Sequence, residues 1–419
     1  MSVIVKATAS RSRTLKSILS GIAIVGVSAV VLSGCSATSG SGTTTGARTP
    51  LTLKIGTILP QSGTLAFLGP PEQAGVALAV KDINDAKLGI TVDVQYRDSG
   101  DTTTDTATVS VTDLLSLGVT AIIGAASSAV SKTVIDQITG AGVIQMSPAN
   151  TSIDFTNYAD HGLYWRTAPS DVLQGEVLGN LIAADGIQHL GIIELNDSYG
   201  TGLTKKITST FEAAGGKVVA SPTYNTGDTV FTTQISTVLA AKPDAIALVT
   251  FDEAKIIVPA IRSAGYAGPL YFVDGNLADY SKDFAPGTLT GDKGTTPGLD
   301  TSKLGDFTAR LLKIDPTLKS YSYAAESYDA VVLIALAALA ANSVKGTDVA
   351  SKLQEVSGGS GSGKKATDFA SAAQIILDGK VVDYDGYSGP ITFDEHGDPT
   401  EASIGVYQYA ADNTYKRIN

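Results

Sequence analysis

VTAIIGAASSAVSKTVIDQITGAGVIQMSPANT, residues 119–151, reads as strand, turn, helix, strand and turn. The first turn is Gly124-Ala125-Ala126-Ser127-Ser128 and the second is Ser147-Pro148-Ala149-Asn150-Thr151. In a parallel sheet both turns fall at the carboxyl ends of neighbouring strands, the edge where open α/β sheets bind ligands. Small side chains let a ligand approach the backbone closely. Ser127 or Ser128 can cap the helix that follows, and a helix N-terminus attracts an anion through its unpaired N–H groups and its dipole. The stretch therefore offers a seat for a small carboxylate. An ordinary βαβ unit with good caps uses the same residues, so the residues alone leave both readings open.

The same rhythm extends in both directions. Before the stretch come a strand over Leu51–Leu59, an amphipathic helix over Glu72–Asp85, a strand over Ile90–Arg97 and a helix over Thr104–Leu117. After it, a strand at Leu163–Thr167 starts a second series. Helices are expected at Val172–Ala184, Thr201–Ala214, Phe231–Ala241 and Glu253–Ala264, with strands at Leu190–Leu195, Lys217–Tyr224, Ala245–Thr250 and Leu270–Val273. Gly186, Gly215-Gly216 and Gly265 are helix stop signals. Two βα series in succession mean two parallel sheets, each covered by helices, and hence two similar α/β lobes. Further on, helices are expected at Leu304–Lys313, Tyr323–Ala341, Val349–Val356 and Phe369–Leu377. The second has an apolar half, Ala330–Ala341, but Glu326, Asp329 and its length favour a core helix over a membrane span. Ser357–Lys365 reads as a Gly/Ser surface loop, and Ile391–Phe393 with Ile404–Tyr409 as a hairpin around Glu395-His396-Gly397-Asp398.

The first 34 residues are of another kind. Lys6, Arg11, Arg13 and Lys16 form a basic segment without acids, and Ile18–Leu32 is an apolar run of signal-peptide length. The run ends in Leu32-Ser33-Gly34-Cys35, which resembles the bacterial lipobox, whose cysteine becomes the diacylated first residue of the mature chain. Residues 35–50, rich in Gly, Ser and Thr, form a flexible tether. Cys35 is the only cysteine, so no disulfide supports the exported part, which is long enough to rely on its core. Losing the signal segment leaves 26 basic against 41 acidic residues, a net charge of −15. That charge disfavours anionic lipid and nucleic acid, so membrane attachment rests on the acyl chains.

Several motifs fail on inspection. Residues 358–365, GGSGSGKK, approach a phosphate-binding loop but carry Lys365 where Mg²⁺ needs a hydroxyl, and a helix precedes them. His161, His189 and His396 lack metal-ligand spacing. Asp383, Asp385, Asp394 and Asp398 do not follow a calcium-loop pattern and read as solvated turn residues. No nucleophile elbow and no acid–base pair stands out, so neither an enzyme nor a cofactor or metal site is expected.

From about Leu53 to the C-terminus the chain resembles the branched-chain amino acid (Leu/Ile/Val-binding) type of ABC-transporter substrate-binding protein. The pieces are IGTILPQSG (55–63), AVKDIND (79–85), IIGAASS (122–128), MSPANT (146–151), WRTAPSDVLQG (165–175), NDSYGTG (196–202), PDAIALV (243–249), IRSAGY (261–266) and ITFDEHGD (391–398). The resemblance implies a type I periplasmic-binding fold of two doubly wound lobes joined by three crossovers near Ala168, Leu299 and Pro390. One lobe would then hold 51–168 with 300–390, the other 169–299 with 391–419. It also implies ligand residues. Ser128, Ala149 (through its backbone) and Thr151 match positions that hold the ligand carboxylate. Tyr199 matches an aromatic across the cleft, and Phe251 stands where a tyrosine is common. Asp274 matches the acid that pairs with the α-ammonium, and Phe67 or Leu68 the cover of the side-chain pocket. Asp274 is one methylene shorter than the usual glutamate. Asp274 as a turn residue, and Tyr199 and Phe251 as packing residues, are the competing readings. The expected partners are an amino acid, with a branched-chain or other apolar side chain, and an ABC permease, the protein acting as a lipid-anchored extracytoplasmic monomer. An amide, urea or other small carboxylate as ligand, or a membrane sensor as the downstream partner, are the alternatives.

Overall fold

The computed structural model describes residues 49–300 and 304–419. The signal segment, Cys35 and most of the tether lie outside the described residues.

The first half of the fold starts with β1 (Leu51–Leu59), α1 (Gly69–Ala86), β2 (Ile90–Asp98), α2 (Thr106–Ser116) and β3 (Ala121–Gly124). It continues with α3 (Ser128–Gly140), β4 (Ile144–Ser147) and β5 (Tyr164–Arg166). These strands form a parallel sheet in the order β2-β1-β3-β4-β5. Every residue of β3 and β4 is buried. Helices cover both faces of a parallel sheet, which is why AIIG is a continuous apolar run and why even Gln145 and Ser147 of IQMS are buried, their side chains bonded to the Gly124 and Ala125 carbonyls.

The second half begins with α4 (Asp171–Ala184), β6 (His189–Leu195), α5 (Gly200–Ala213), β7 (Lys217–Ala220), β8 (Thr223–Tyr224) and α6 (Thr232–Ala240). Then follow β9 (Ala245–Val249), α7 (Ala254–Ser263), β10 (Leu270–Phe272) and β11 (Lys293–Pro297). The chain next returns to the first half with α8 (Gly305–Ile314), α9 (Ala324–Ala341), α10 (Gly346–Val356), β12 (Lys364–Ala366), α11 (Phe369–Leu377), β13 (Val382–Gly386) and β14 (Gly389–Pro390), the three strands forming a small sheet of their own in the order β12-β13-β14. Finally β15 (Ile404–Tyr409) and β16 (Tyr415–Arg417) join the second sheet, whose order is β16-β15-β11-β10-β9-β6-β7, with β8 also beside β6.

The apolar helix α9 is the central post of the first half. Ala324 to Leu339 are all buried. It is long and apolar enough to cross a membrane, but its faces are covered by protein, chiefly α1 and α10. One apolar core joins the first sheet to α1, α8, α9, α10 and α11, and a second joins β6, β9 and β10 to α4, α5 and α7. The backbone passes between the halves three times among the described residues: after Arg166, after Pro297 and again before Ile404.

Five expectations need correction. Ile391–Phe393 does not pair with Ile404–Tyr409: Phe393 bridges Pro399, while β15 pairs with β11 and β16. The reason is packing. Ile391 and Phe393 belong to the first core, where Phe393 meets Trp165 edge-on at 5.1 Å, and the real hairpin turns at Asp412-Asn413. The last passage between the halves therefore lies after Asp398, later than Pro390. Asp398 is no solvated turn residue but the buried partner of Arg166. Lys364–Ala366, expected within or beside a loop, is a parallel strand beside β13. Lys217–Tyr224 is two short strands, because β6 pairs with it in two separate registers.

Candidate ligand-binding site

The turns 124–128 and 147–151 follow the adjacent strands β3 and β4 and are bonded to each other. Ser147 Oγ donates to the Ala125 carbonyl at 2.7 Å, and Asn150 Nδ2 donates to the Ala125 and Ala126 carbonyls at 3.0 and 2.8 Å. The Ala149 and Asn150 N–H groups donate back to Ser147 Oγ at 3.2 and 2.9 Å. Gly124 has φ +111°, and a Cβ there would lie 2.4 Å from the Ile58 carbonyl oxygen, so only glycine fits the first turn. Ser127 caps α3, its Oγ accepting from Val130 N–H at 3.3 Å. Ser128 is the first helical residue and accepts from Ser152 N–H at 3.3 Å. The first N–H groups of a helix have no acceptor within it, so this end of α3 supplies donors and a positive dipole end.

Arg166 holds the second turn from behind. Its guanidinium is fully buried and grips Asp398 through two bonds of 2.6 and 2.8 Å, while Nη1 donates to the Ser152 carbonyl at 2.7 Å. A planar fork suits this task because it satisfies a carboxylate and a carbonyl at once.

The second half supplies the opposite pole. Asp274 follows β10 in a turn fixed by Asn276, whose Oδ1 accepts from Val273 N–H and whose Nδ2 donates to the Leu248 carbonyl. Asp274 Oδ1 accepts from Tyr199 OH at 2.7 Å and Gln174 Nε2 at 3.0 Å, and Oδ2 accepts from Tyr323 OH at 2.6 Å. Tyr323 precedes α9, so this last bond links the two halves. Ser152 Oγ, which donates to the Ser198 carbonyl at 2.7 Å, makes a second link. Phe251 stacks on Tyr199 with centroids 5.3 Å apart, and Gly275 leaves room for that ring: a Cβ there would sit 2.7 Å from Phe251 Cδ1.

These groups share one small cavity. Ser128, Ala149, Tyr199, Phe251, Asp274 and Leu68 all line it. Phe67 lines a neighbouring groove beside Tyr321 and Tyr323 instead, so of the two covering residues Leu68 is the one on this cavity. Thr151 does not line it either. Its carbonyl accepts the Asp171 N–H at 2.7 Å, and its buried hydroxyl faces the Asp171 carboxylate without reaching a hydrogen bond.

Burial pushes the Asp274 carboxyl up, against the pull of the hydroxyls of Tyr323 and Tyr199. Burial, and then the charge of Asp274, pushes the Asp171 carboxyl well above the usual range. Arg166 is the cation that faces Asp171, and it is already paired with Asp398. The second half thus presents buried carboxyls that a neighbouring cation would help to ionise, opposite the donor end of α3. Leu65, Leu68, Ala126 and the Phe251 ring make the wall between the poles apolar.

Sequence reasoning missed Tyr323, Gln174, Asp171 and Leu65. Leu65 sits two residues before the covering pair, and Asp171 looks like an ordinary first-turn acid of α4. Tyr323 and Gln174 carry no local signal, since only tertiary packing brings them to Asp274.

Two α/β halves with a site lined from both define a type I substrate-binding fold. Residues 52–395 match the family of periplasmic binding proteins, and the chain belongs to that family. It is 30% identical over 190 residues to the leucine-, isoleucine-, valine-, threonine- and alanine-binding protein of Pseudomonas aeruginosa, a match covering 44% of this chain and half of that protein. It is 24% identical over 349 residues to the chemotactic signal transduction system substrate-binding protein BasB of Halobacterium salinarum, covering 80% and 82% of the two chains. Its fold is similar to that of the branched-chain amino acid transporter substrate-binding protein LivJ from Streptococcus pneumoniae, solved with isoleucine. The TM-score is 0.70 at 22% identity, over 88% of this chain and 99% of the other. Proteins of this family bind substrates and perform no chemistry on them.

Proposed function

We propose that this protein captures an amino acid outside the cytoplasm, between two halves that close on it, and passes it to an ABC permease, the chain being held at the membrane by lipid on Cys35. The observation that carries this reading is the polarity of the cavity: Ser128 and the N-terminus of α3 at one pole, the Asp274 carboxylate at the other. A carboxylate needs N–H and hydroxyl donors and an ammonium needs acceptors, and a desolvated charge left unpaired costs several kcal/mol. A zwitterion satisfies both poles at once. Leu65, Leu68 and Phe251 give its side chain apolar contact, which suits a branched-chain or other apolar residue. The names of the relatives support an amino acid. A ligand that touches both halves stabilises their closed arrangement, because only that arrangement contacts it from two sides.

A second reading has one specific observation in its favour. Three protein donors already bond the Asp274 carboxylate, so a small carboxylate or amide without an ammonium also leaves no acceptor unpaired there. A thermal-shift screen of the purified full chain separates the two. Against the common amino acids and a set of simple acids and amides, the ligand that binds the native state raises the melting temperature. The proposal expects an amino acid to give the largest shift; shifts from simple acids or amides alone favour the second reading.

A further inference from the structure

The zwitterion reading leaves one buried acid without a task. Asp171 is the first residue of α4, after the cap Ser170, and its N–H donates to the Thr151 carbonyl at 2.7 Å, so it stands between the second small-residue turn and the acidic pole. Gln174, three residues on and therefore on the same side of the helix, donates to Asp274 Oδ1 at 3.0 Å. One face of α4 thus carries both residues towards Asp274. Asp171 is fully buried, and neither of its carboxyl oxygens reaches a hydrogen-bond partner. The groups that act on it come from five other places in the fold. These are Asp274 after β10, Asp197 after β6, the Tyr199 hydroxyl just before α5, the Tyr323 hydroxyl just before α9, and Arg166 on β5. Arg166 is the cation among them, and its guanidinium is already held by Asp398 at 2.6 and 2.8 Å and by the Ser152 carbonyl at 2.7 Å.

A buried carboxyl with no donor, no free cation and a second acid beside it is costly to ionise, and a proton removes that cost. Asp274 differs, because the Tyr199 and Tyr323 hydroxyls and Gln174 all donate to it. The pair therefore divides its roles, the charge resting on Asp274 and the proton on Asp171. We infer that Asp171 holds a proton in the ligand-free protein and gives it up when the ligand's ammonium settles against Asp274, so that capture of the amino acid releases a proton. This rests on the zwitterion reading above. The Asp171 O–H bond breaks, its electron pair stays on the carboxylate, and the proton passes to solvent. The ammonium brings the positive charge that Arg166, paired elsewhere, does not supply, and the N-terminus of α4 favours the anion once it forms. Burial, and then the charge of Asp274, holds the Asp171 carboxyl well above its ordinary range in the free protein, as this exchange requires. By linkage, a ligand that expels a proton binds more tightly as pH rises, by at most about tenfold per unit.

Calorimetry on the purified full chain with leucine, run at pH 6 in two buffers of different ionisation enthalpy, counts the protons exchanged. If leucine gives no heat, the common amino acid with the largest thermal shift takes its place. At pH 6 the ligand is a full zwitterion, so any proton released comes from the protein. The parent is expected to release at least about half a proton per ligand, and its affinity to rise about three- to tenfold from pH 5 to pH 6. Asp171→Asn, which keeps the shape of the protonated acid, should exchange no proton and show a flat affinity over the same interval. A residue that merely shaped the site would move affinity without moving the proton count. Equal heats in the two buffers for a parent that binds overturn the inference and leave the zwitterion reading standing. Proton release that persists in folded Asp171→Asn overturns it as well. If no amino acid binds, both readings fall together.

Discussion

Asp274→Asn isolates the charge at the heart of the site. The substitution keeps the shape and removes the anion. The surroundings can absorb it: the Tyr199 and Tyr323 hydroxyls, now 2.7 and 2.6 Å from the carboxylate, can rotate to accept. Gln174 Oε1 is buried without a partner and can turn to meet the new N–H group. Removing a carboxylate that burial has already pushed up in pKa also relieves desolvation, so the ligand-free melting temperature should hold or rise. The ligand's ammonium, by contrast, loses a buried counter-charge, at a cost of about 2–5 kcal/mol. That converts to a dissociation constant about 30- to 5,000-fold weaker. Titration calorimetry at pH 7 on parent and variant measures the ratio, and thermal unfolding of the same samples shows whether the fold is intact. A change below about fivefold in a normally folded variant would remove Asp274 from ligand recognition.

Four shorter predictions accompany it. Tyr323→Phe deletes the hydroxyl that joins α9 to Asp274; closure should weaken, with affinity falling about tenfold and a larger radius of gyration by X-ray scattering at equal ligand concentration. Arg166→Met strands Asp398 in a buried place, so urea unfolding should show a loss of about 3–5 kcal/mol. Glu326 is fully buried, and burial raises it to about 8 from an ordinary 4.5, so the folded chain keeps a proton that the unfolded chain gives up. Its contribution to stability is complete below about pH 4.5 and is lost as pH rises towards 8; the melting temperature should fall across that window, and Glu326→Gln should flatten the fall. Cys35→Ser should move the protein from the membrane fraction to the soluble fraction of cells that express it, and retention in the membrane would argue against the lipid anchor.

How much was legible in the sequence depended on how local the signal was. The βα alternation and the two small-residue turns are local, and both series of helices and strands stand close to where periodicity put them. A serine cap for α3, Ser127 or Ser128, followed from residue type and position, and the structure gives the role to Ser127. The acidic pole was legible only through the family resemblance, because a single aspartate after a strand looks like any turn residue. Tyr323 was invisible: it lies 49 residues from Asp274 in sequence and meets it only because α9 docks on α1. The C-terminal error has the same origin. Ile391 and Phe393 alternate as a strand should, but the first core claims both side chains, and β15 turns to β11 and β16 instead. Asp398 was misjudged because its partner, Arg166, is 232 residues away.

The demand for opposite charges on one small molecule is tested most directly by dissecting the molecule. The amino acid that binds most tightly in the thermal screen is compared by calorimetry with two relatives of it, the acid without its amino group and the amine without its carboxyl. The account predicts that each half-molecule binds at least about a hundredfold more weakly than the intact amino acid, since each deprives one pole of the opposite charge that the intact molecule supplies. An acid without the amino group that binds as tightly as the amino acid would contradict it.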